Sequence, residues 1–136
     1  MTKFSKKIIF SIILINFLQK TLACDFKCPS YLHPYPNPYF HKSANGCGTS
    51  ELNFDAKFLP NPNLEYCCNE HDYCYETCGV TKQYCDINFR KCMMDICGSG
   101  FYVLKCQLKA KIFFETAKNL GCNSYLKSQQ KACICH

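Results

Sequence analysis

One histidine and two aspartates of this chain are placed so that they could take part in a single reaction. His71 and Asp72 are adjacent, and Asp86 follows farther along the chain. On a helix, adjacent side chains point about 100° apart, so His71 and Asp72 would serve different neighbours. A histidine oriented by one carboxylate is a common general base, and a second carboxylate can help to hold a cation. We interpret the remaining histidines as structural or exposed, the usual state of a lone histidine: His33, His41 and His136.

Three helices are predicted to position these residues. The first covers about 64–79, because Gly79 favours a helix end and one face presents Cys67, His71, Cys74 and Cys78. The second covers about 82–97, with a single stripe of Cys85, Phe89, Cys92 and Ile96. The third is amphipathic and ends near Gly121, after a row of Leu104, Leu108 and Ile112. Strand signals are weak, so the sequence predicts a mainly α fold with little β.

The spacing of the cysteines predicts how the first two helices lie. Each helix carries two cysteines that are seven residues apart. If the helices are antiparallel, Cys67 meets Cys92 while Cys74 meets Cys85, and both bridges share one register. Two bridges about 10 Å apart along the axis would clamp the pair. This register brings Asp86 close to the histidine on the first helix, although other cysteine pairings remain possible.

A glycine-rich loop is a candidate cation site. If Cys47 is bridged to Cys68, the loop around Gly46 and Gly48 is tied down beside Asp72. Such a loop can turn several backbone carbonyls inward, and a carboxylate completes an oxygen cage suited to calcium. The sequence therefore predicts that Asp72 and this loop hold a calcium ion.

Together these groups predict a hydrolytic site. A bound calcium ion would polarise an ester carbonyl and stabilise the oxyanion as it forms. His71 would take a proton from the attacking water, and Asp86 would fix the tautomer of the ring. No serine or cysteine nucleophile is evident, since we expect the cysteines to be in disulfides.

The first 23 residues are predicted to be a secretion signal. Three lysines precede an almost entirely apolar run at 8–18, and small residues ending at Ala23 offer a cleavage site. The run is too short to span a bilayer, which takes about 20 residues, so the alternative of a membrane anchor is disfavoured. Residues 24–45 contain several prolines and aromatics, which predicts an extended arm tethered by bridges. Residues 46–136 form the predicted catalytic domain.

The cysteine content indicates a disulfide framework made in an oxidising compartment. All 14 cysteines follow residue 23, and the count is even. Structural zinc is the alternative, but zinc needs thiolates, which an oxidising secretory route disfavours. Without the four lysines of the predicted signal, 12 basic and 10 acidic residues remain. This balance is too mild to indicate a protein that binds nucleic acid or one that is strongly attracted to anionic membranes.

Several segments resemble secreted phospholipases A2. The sequence CCNEHDYCY at 67–75 resembles the active-site helix of that family. CD at 85–86, followed by five residues and Cys92, is similar to the second helix, and GCG at 46–48 resembles the calcium loop. Three further features resemble the group XII branch: YETCG at 75–79, the short connection from Cys78 to Cys85 and the tail at 125–136. The resemblance covers nearly all of residues 24–136 and implies a disulfide-rich phospholipase A2-like fold with two long antiparallel helices.

The resemblance also implies an activity and a role for each residue. The reaction would be calcium-dependent hydrolysis of the sn-2 ester of glycerophospholipids, which releases a fatty acid and a lysophospholipid. The secreted enzyme, assumed to be a monomer, would act on a phospholipid membrane or micelle. His71 would be the general base, Asp86 would orient it, and Tyr75 would hydrogen-bond to Asp86. The calcium ligands would be the side chain of Asp72 and the backbone carbonyls of Gly46, Gly48 and Ser50.

Three departures from the family pattern separate this chain from the conventional enzymes. Ser50 stands where the widespread pattern has a second glycine. No long helix precedes Cys24, whereas the family generally has an N-terminal helix that lines the substrate channel. The connection from Cys78 to Cys85 leaves no room for a two-stranded wing.

Two non-enzymatic functions compete with hydrolysis. One is a secreted lipid- or receptor-binding protein on the same scaffold with weak or no catalysis, since some members of the branch lack the histidine. The other is a cysteine-framework toxin or growth factor. That function would explain the disulfides but not the arrangement of the histidine and the two aspartates. The presence of His71, Asp72 and Asp86 together favours the enzyme.

Overall fold

Two antiparallel helices form the frame of the molecule, α1 (Leu64–Tyr75) and α2 (Lys82–Cys97). They are followed by α3 (Leu104–Leu120) and α4 (Cys122–Ala132), while β1 (Pro34–Pro36) pairs antiparallel with β2 (Cys133–Cys135). The computed structural model describes residues 24–48, 59–100 and 103–136. Within these ranges the prediction of a mainly α fold with little β is confirmed.

Disulfides connect every cysteine to a partner, so zinc coordination by thiolates is excluded. The predicted clamp is present: Cys67–Cys92 and Cys74–Cys85 join α1 to α2, with Cα atoms 5.7 and 5.6 Å apart. Cys47–Cys68 ties the glycine-rich loop to α1. The other four bridges hold the N-terminal arm and the C-terminal part of the chain: Cys24–Cys122, Cys28–Cys135, Cys78–Cys133 and Cys97–Cys106.

Helix α1 ends four residues earlier than the sequence pattern predicts. Its last residue is Tyr75, so Cys78 lies beyond the helix and not on its face. The buried side chain of Gln129 in α4 explains this end, because its Nε2 donates to the carbonyl oxygens of Tyr75 (2.7 Å) and Thr77 (2.8 Å). Its Oε1 accepts from the backbone N of Gly79 at 2.9 Å. A distant side chain thus satisfies backbone groups that further helical turns would otherwise have used.

The main core lies between α1, α2 and α3. Its buried side chains include Leu64, Cys67, Phe89, Met93 and Ala110. Helix α3 ends where the sequence predicts, but it does not pack on the core through its row of leucines and isoleucine. Leu104, Leu108 and Ile112 are exposed, whereas the opposite face, with Cys106, Ala110, Phe113 and Ala117, meets the core. Helix α4 was not predicted from the sequence.

The N-terminal arm is extended and lies against the C-terminal part of the chain. Its strand β1 pairs with β2, and Phe26 packs beside Tyr75 and Tyr125. Other aromatics of the arm point outward, and Tyr31 and Tyr39 are 95% and 87% exposed. The predicted signal lies outside the described residues and stays a prediction. No helix in the described part of the chain is long and apolar enough to cross a membrane.

Candidate active site

Asp86 is the centre of a hydrogen-bonded cluster between α1 and α2. Its Oδ1 lies 2.9 Å from His71 Nε2 and accepts a hydrogen bond from the Tyr75 hydroxyl at 2.7 Å. Its Oδ2 accepts a hydrogen bond from Lys82 Nζ, one turn earlier on α2. Only 5% of Asp86 is exposed. The structure therefore brings together His71, Tyr75 and Asp86 as predicted, and adds Lys82 to them.

This cluster keeps the Asp86 carboxylate ionised. Burial alone would raise the pKa of Asp86, but hydrogen bonds from His71, Lys82 and Tyr75 outweigh burial and hold the pKa below its usual range. An ionised carboxylate only accepts hydrogen bonds, so the proton of the neutral imidazole is assigned to Nε2 of His71. The other nitrogen, Nδ1, then keeps its lone pair. His71 is thus oriented to accept a proton at Nδ1.

Aromatic side chains hold the His71 ring in place. The ring stacks on Phe89 with centroids 4.5 Å apart and planes 26° from parallel. Tyr75 lies on another side, at 4.2 Å between centroids. Burial and the nearby Asp86 charge raise the pKa of Tyr75, so its hydroxyl stays protonated and donates. These contacts restrict the imidazole to one orientation, which a base must keep throughout a reaction.

Lys82 is the residue of the site that the sequence analysis missed. It is 6% exposed, and besides Asp86 its Nζ donates to the carbonyl oxygens of Ala117 (2.8 Å) and Lys118 (3.2 Å). These carbonyls belong to the last turn of α3, where a cation is favourable. A lysine four residues before an aspartate at the start of a helix was the available signal. It could not reveal the contact with α3.

The glycine-rich loop is fastened to one face of α1. Asp72 Oδ2 accepts from the backbone N of Asn45 at 3.0 Å, and Asn69 Oδ1 accepts from the backbone N of Gly46 at 3.0 Å. One turn later, Glu76 accepts from the backbone N of Ser43. With the Cys47–Cys68 bridge, these bonds hold the loop beside Asp72.

The residues present fit a calcium ion. Burial is the main reason that the pKa of Asp72 rises to about 6, so the neighbouring side chains do not compensate its charge as a bound cation would. Gly46 and Gly48 have φ angles of 82° and 153°, which favour glycine and allow the loop to turn sharply beside this carboxylate. Among the described residues, no group of three or more His, Cys, Asp or Glu side chains could hold a metal ion. A cation here would therefore need backbone oxygens as well as Asp72, and Ser50, the remaining predicted ligand, lies outside the described residues.

A cleft of about 470 Å³ opens over His71 and Asp72. One side is formed by the glycine-rich loop, and the opposite side by α3, through Phe113, Thr116, Ala117 and Leu120. Helix α4 adds a polar edge with Ser124, Lys127, Ser128 and Lys131. The cleft thus places an oriented histidine and the glycine-rich loop with Asp72 beside an apolar wall.

A family comparison identifies the scaffold. The model of the group XII secretory phospholipase A2 precursor matches residues 7–136. The chain belongs to the group XII secretory phospholipase A2 family. It is 37% identical over 121 residues to the human group XIIA secretory phospholipase A2, which covers 83% of this chain and 64% of that protein. No solved structure matches the chain.

Two mouse proteins are also similar to this group XII member. The mouse group XIIA secretory phospholipase A2 is 37% identical over 120 residues, covering 82% of this chain and 62% of the relative. The mouse group XIIB secretory phospholipase A2-like protein is 35% identical over 128 residues, covering 85% and 66%. The chain therefore spans less than two thirds of the length of the two group XIIA relatives.

In this group XII member, α3 forms the apolar part of the cleft wall. It presents Phe113, Ala117 and Leu120 to the cleft. The residues before Cys24 lie outside the described part of the chain, so the expected lack of a channel-lining helix there stays a prediction.

Proposed function

We propose that this protein is a secreted, calcium-dependent phospholipase A2 that hydrolyses the sn-2 ester of glycerophospholipids. The observation that supports it best is the 2.9 Å contact between His71 Nε2 and Asp86 Oδ1 inside a cleft that also contains Asp72. A base, its orienting carboxylate and a cation-binding carboxylate on one cleft are the parts that metal-assisted ester hydrolysis needs.

The calcium ion would be held by the Asp72 carboxylate and by backbone carbonyls of Gly46, Gly48 and Ser50. When bound, it would polarise the ester carbonyl and stabilise negative charge on its oxygen. Hydrogen bonds to Asp72 and Asn69 hold Asn45 and Gly46 against α1, which supports a loop that is ordered at this end before substrate arrives.

His71 would move the proton in both halves of the reaction. Its Nδ1 takes a proton from a water molecule as the water oxygen bonds to the ester carbonyl carbon. The carbon–oxygen bond to the glycerol then breaks, and Nδ1 returns the proton to the departing sn-2 oxygen. The products are a fatty acid and a lysophospholipid, and His71 is neutral again. Asp86 stays ionised throughout and stabilises the transient imidazolium, while Tyr75 orients Asp86.

The walls of the cleft suit a phospholipid. The α3 side, with Phe113 and Leu120, offers apolar surface to an acyl chain. Lys127 and Lys131 on the α4 edge would face the phosphate of the head group. This division of the cleft supports a glycerophospholipid rather than a water-soluble ester.

The second candidate is a secreted lipid- or receptor-binding protein with weak or no catalysis. One relative is named a group XIIB secretory phospholipase A2-like protein, so membership of this family does not by itself establish the activity. A cleft with an apolar wall would serve binding equally well. The intact cluster of His71, Asp86 and Tyr75 favours hydrolysis, because binding alone does not need an oriented base.

The deciding experiment measures fatty-acid release from mixed phospholipid vesicles. The full chain is expressed in a secreting eukaryotic host, and the product is collected from the medium. Wild type is assayed with calcium and with chelator, beside His71→Gln and the control His41→Gln, whose side chain is exposed in the arm. We expect release that needs calcium and is lost only in His71→Gln.

Either of two results would count against the enzyme. Equal release by wild type and His71→Gln would assign it to a contaminant. No release by a folded wild type that binds calcium would favour the binding protein. N-terminal sequencing of the secreted product, expected to begin at Cys24, tests the predicted signal.

A further inference from the structure

Positions four apart on α3 form a ridge with large exposed apolar side chains, which we call the α3 outer row: Leu104, Leu108, Ile112 and Leu120. Their exposed fractions are 64%, 55%, 64% and 72%. The inner face of α3 is also apolar and packs on the core. Helices at the surface of a soluble protein usually turn only one apolar stripe inward. Helix α3 therefore has a second apolar face that the described fold leaves uncovered.

Lysines flank this row on both sides. Lys105 and Lys109 each follow a leucine of the row by one position, and Lys111 precedes Ile112 by one. One position is about 100° around a helix, so these side chains lie to either side of the apolar row. Helix α3 has four lysines and one glutamate. Apolar residues bordered by lysines are the pattern of helices that lie in a membrane interface, where the lysine stems extend along the apolar surface and their ammonium groups meet lipid phosphates.

The α3 outer row continues to the cleft. Each step of four residues turns about 40° around the helix, so the row winds toward the cleft between Leu104 and Leu120. Leu120 lines the cleft together with Phe113 and Ala117 of the inner face. A surface laid against the row would therefore lie beside the cleft opening. A lipid would have a short path from that surface to His71.

We propose that the α3 outer row and its lysines dock this protein on an anionic phospholipid surface. The biological purpose rests on the proposed hydrolysis, but the docking itself does not need turnover. A second copy of this chain fits the row less well, because a symmetric pair through α3 would bring the lysines of the two copies together. Phospholipid head groups supply the opposite charge, and acyl chains accept the leucines.

The first test measures binding to vesicles that cannot be hydrolysed. Diether phosphatidylcholine vesicles, with or without diether phosphatidylglycerol, are used in the presence of chelator. Burying an aliphatic side chain is worth about 1.5 kcal/mol or more, so Leu108→Gln/Ile112→Gln should lower affinity by at least about tenfold on both vesicles. Lys105→Gln and Lys109→Gln should each cost about fivefold, only where phosphatidylglycerol is present.

Helix α2 offers matched controls. Ile87 is 55% exposed, as is Leu108, and Lys91 is exposed one turn later. Ile87→Gln and Lys91→Gln should leave vesicle affinity within about twofold of wild type, since both side chains are exposed on α2 and are not part of the α3 outer row. Circular dichroism and the midpoint of thermal unfolding confirm that each variant is folded.

A fluorescence test reports the depth of each face directly. The chain has no tryptophan, so Ile112→Trp introduces a single reporter. We expect its emission to shift to the blue on phosphatidylglycerol-containing vesicles and to be quenched by brominated acyl chains. The matched variant Ile87→Trp should keep the emission of a water-exposed indole.

Three outcomes would overturn the docking proposal. One is vesicle affinity that does not change in Leu108→Gln/Ile112→Gln. Another is an equal loss in the Ile87→Gln control. The third is a wild-type dimer, seen by analytical ultracentrifugation, that these row variants dissociate. Because binding is measured without turnover, vesicle docking by a protein that releases no fatty acid would support the docking surface and reject only the hydrolysis.

Discussion

Lys82 and Asp86 form a buried ion pair one helical turn apart, and each side chain is 7% exposed. Lys82 also donates to the carbonyl oxygens that end α3, so a single ammonium group connects the third helix to the carboxylate that orients His71. Lys82 does not face the cleft in this arrangement. In the proposed hydrolysis it would be a positioning residue that acts through Asp86.

Replacing Lys82 should alter the pH dependence of hydrolysis as well as its rate. In Lys82→Met the Asp86 carboxylate loses a positive charge that helps to keep it ionised, so the pKa of Asp86 should rise toward its ordinary value. We expect kcat to fall roughly tenfold, or about 1.4 kcal/mol, and the acidic limb of its pH profile to move to higher pH. A variant that unfolds more easily but keeps the wild-type profile would show that Lys82 has only a structural role. Lys91→Met, at an exposed position on the same helix, is the control.

Removing the Tyr75 hydroxyl should weaken both stability and activity by modest amounts. Tyr75→Phe deletes one buried hydrogen bond to Asp86, which costs roughly 1 to 2 kcal/mol of unfolding free energy. The contact of His71 with Asp86 remains, so we expect kcat to fall only a few-fold. Tyr125→Phe is the matched control, because its hydroxyl donates to the carbonyl of Val80 instead. Thermal unfolding and initial rates should show a similar loss of stability in both variants and a loss of rate only in Tyr75→Phe.

Calcium affinity should fall as the pH drops below about 6, the raised pKa of Asp72. A proton then competes with calcium for the carboxylate, and the affinity should drop by up to about tenfold per pH unit. The pKa of Asp72 in the folded state lies above that of an ordinary aspartate. Without calcium, this group therefore favours the folded state more as the pH falls from about 6 toward 4. Calorimetric titration of the secreted protein across this range tests the affinity. A pH-independent affinity would remove Asp72 from the ligand set, and Asp72→Asn should bind calcium weakly at every pH.

A methyl group at position 121 should destabilise the fold next to Tyr75. Gly121 joins α3 to α4, and a Cβ there would contact the carbonyl oxygen of Ala117 and lie 2.9 Å from the Tyr75 hydroxyl. Gly121→Ala should therefore destabilise the fold by roughly 1 to 3 kcal/mol, since the helix end must shift. The double variant Tyr75→Phe/Gly121→Ala should be less destabilised than the sum of the two single variants, because the clash with the hydroxyl is gone. Strict additivity in chemical unfolding would argue against this contact.

The relation of α1 to α2 could be predicted because it depends on local spacing. Cysteines seven residues apart on each helix allow one antiparallel register with two bridges, and that register places Asp86 beside His71. The end of α1 could not be predicted in the same way. It depends on Gln129, which is 54 residues from the Tyr75 carbonyl that it caps, and nothing near Tyr75 in the sequence indicates that partner.

The sequence alone was enough to predict the periods of the first three helices, the cysteine framework and the residues that we propose as the base, its orienting carboxylate and the calcium ligand. These follow from residue types and from spacings within a few helical turns. Only the tertiary structure decided that Lys82 joins Asp86 to the end of α3, that α3 walls the cleft and that its leucine row faces outward. Such contacts join segments tens of residues apart. Which of two apolar faces is buried depends on how all the helices pack together, and not on the period of one helix.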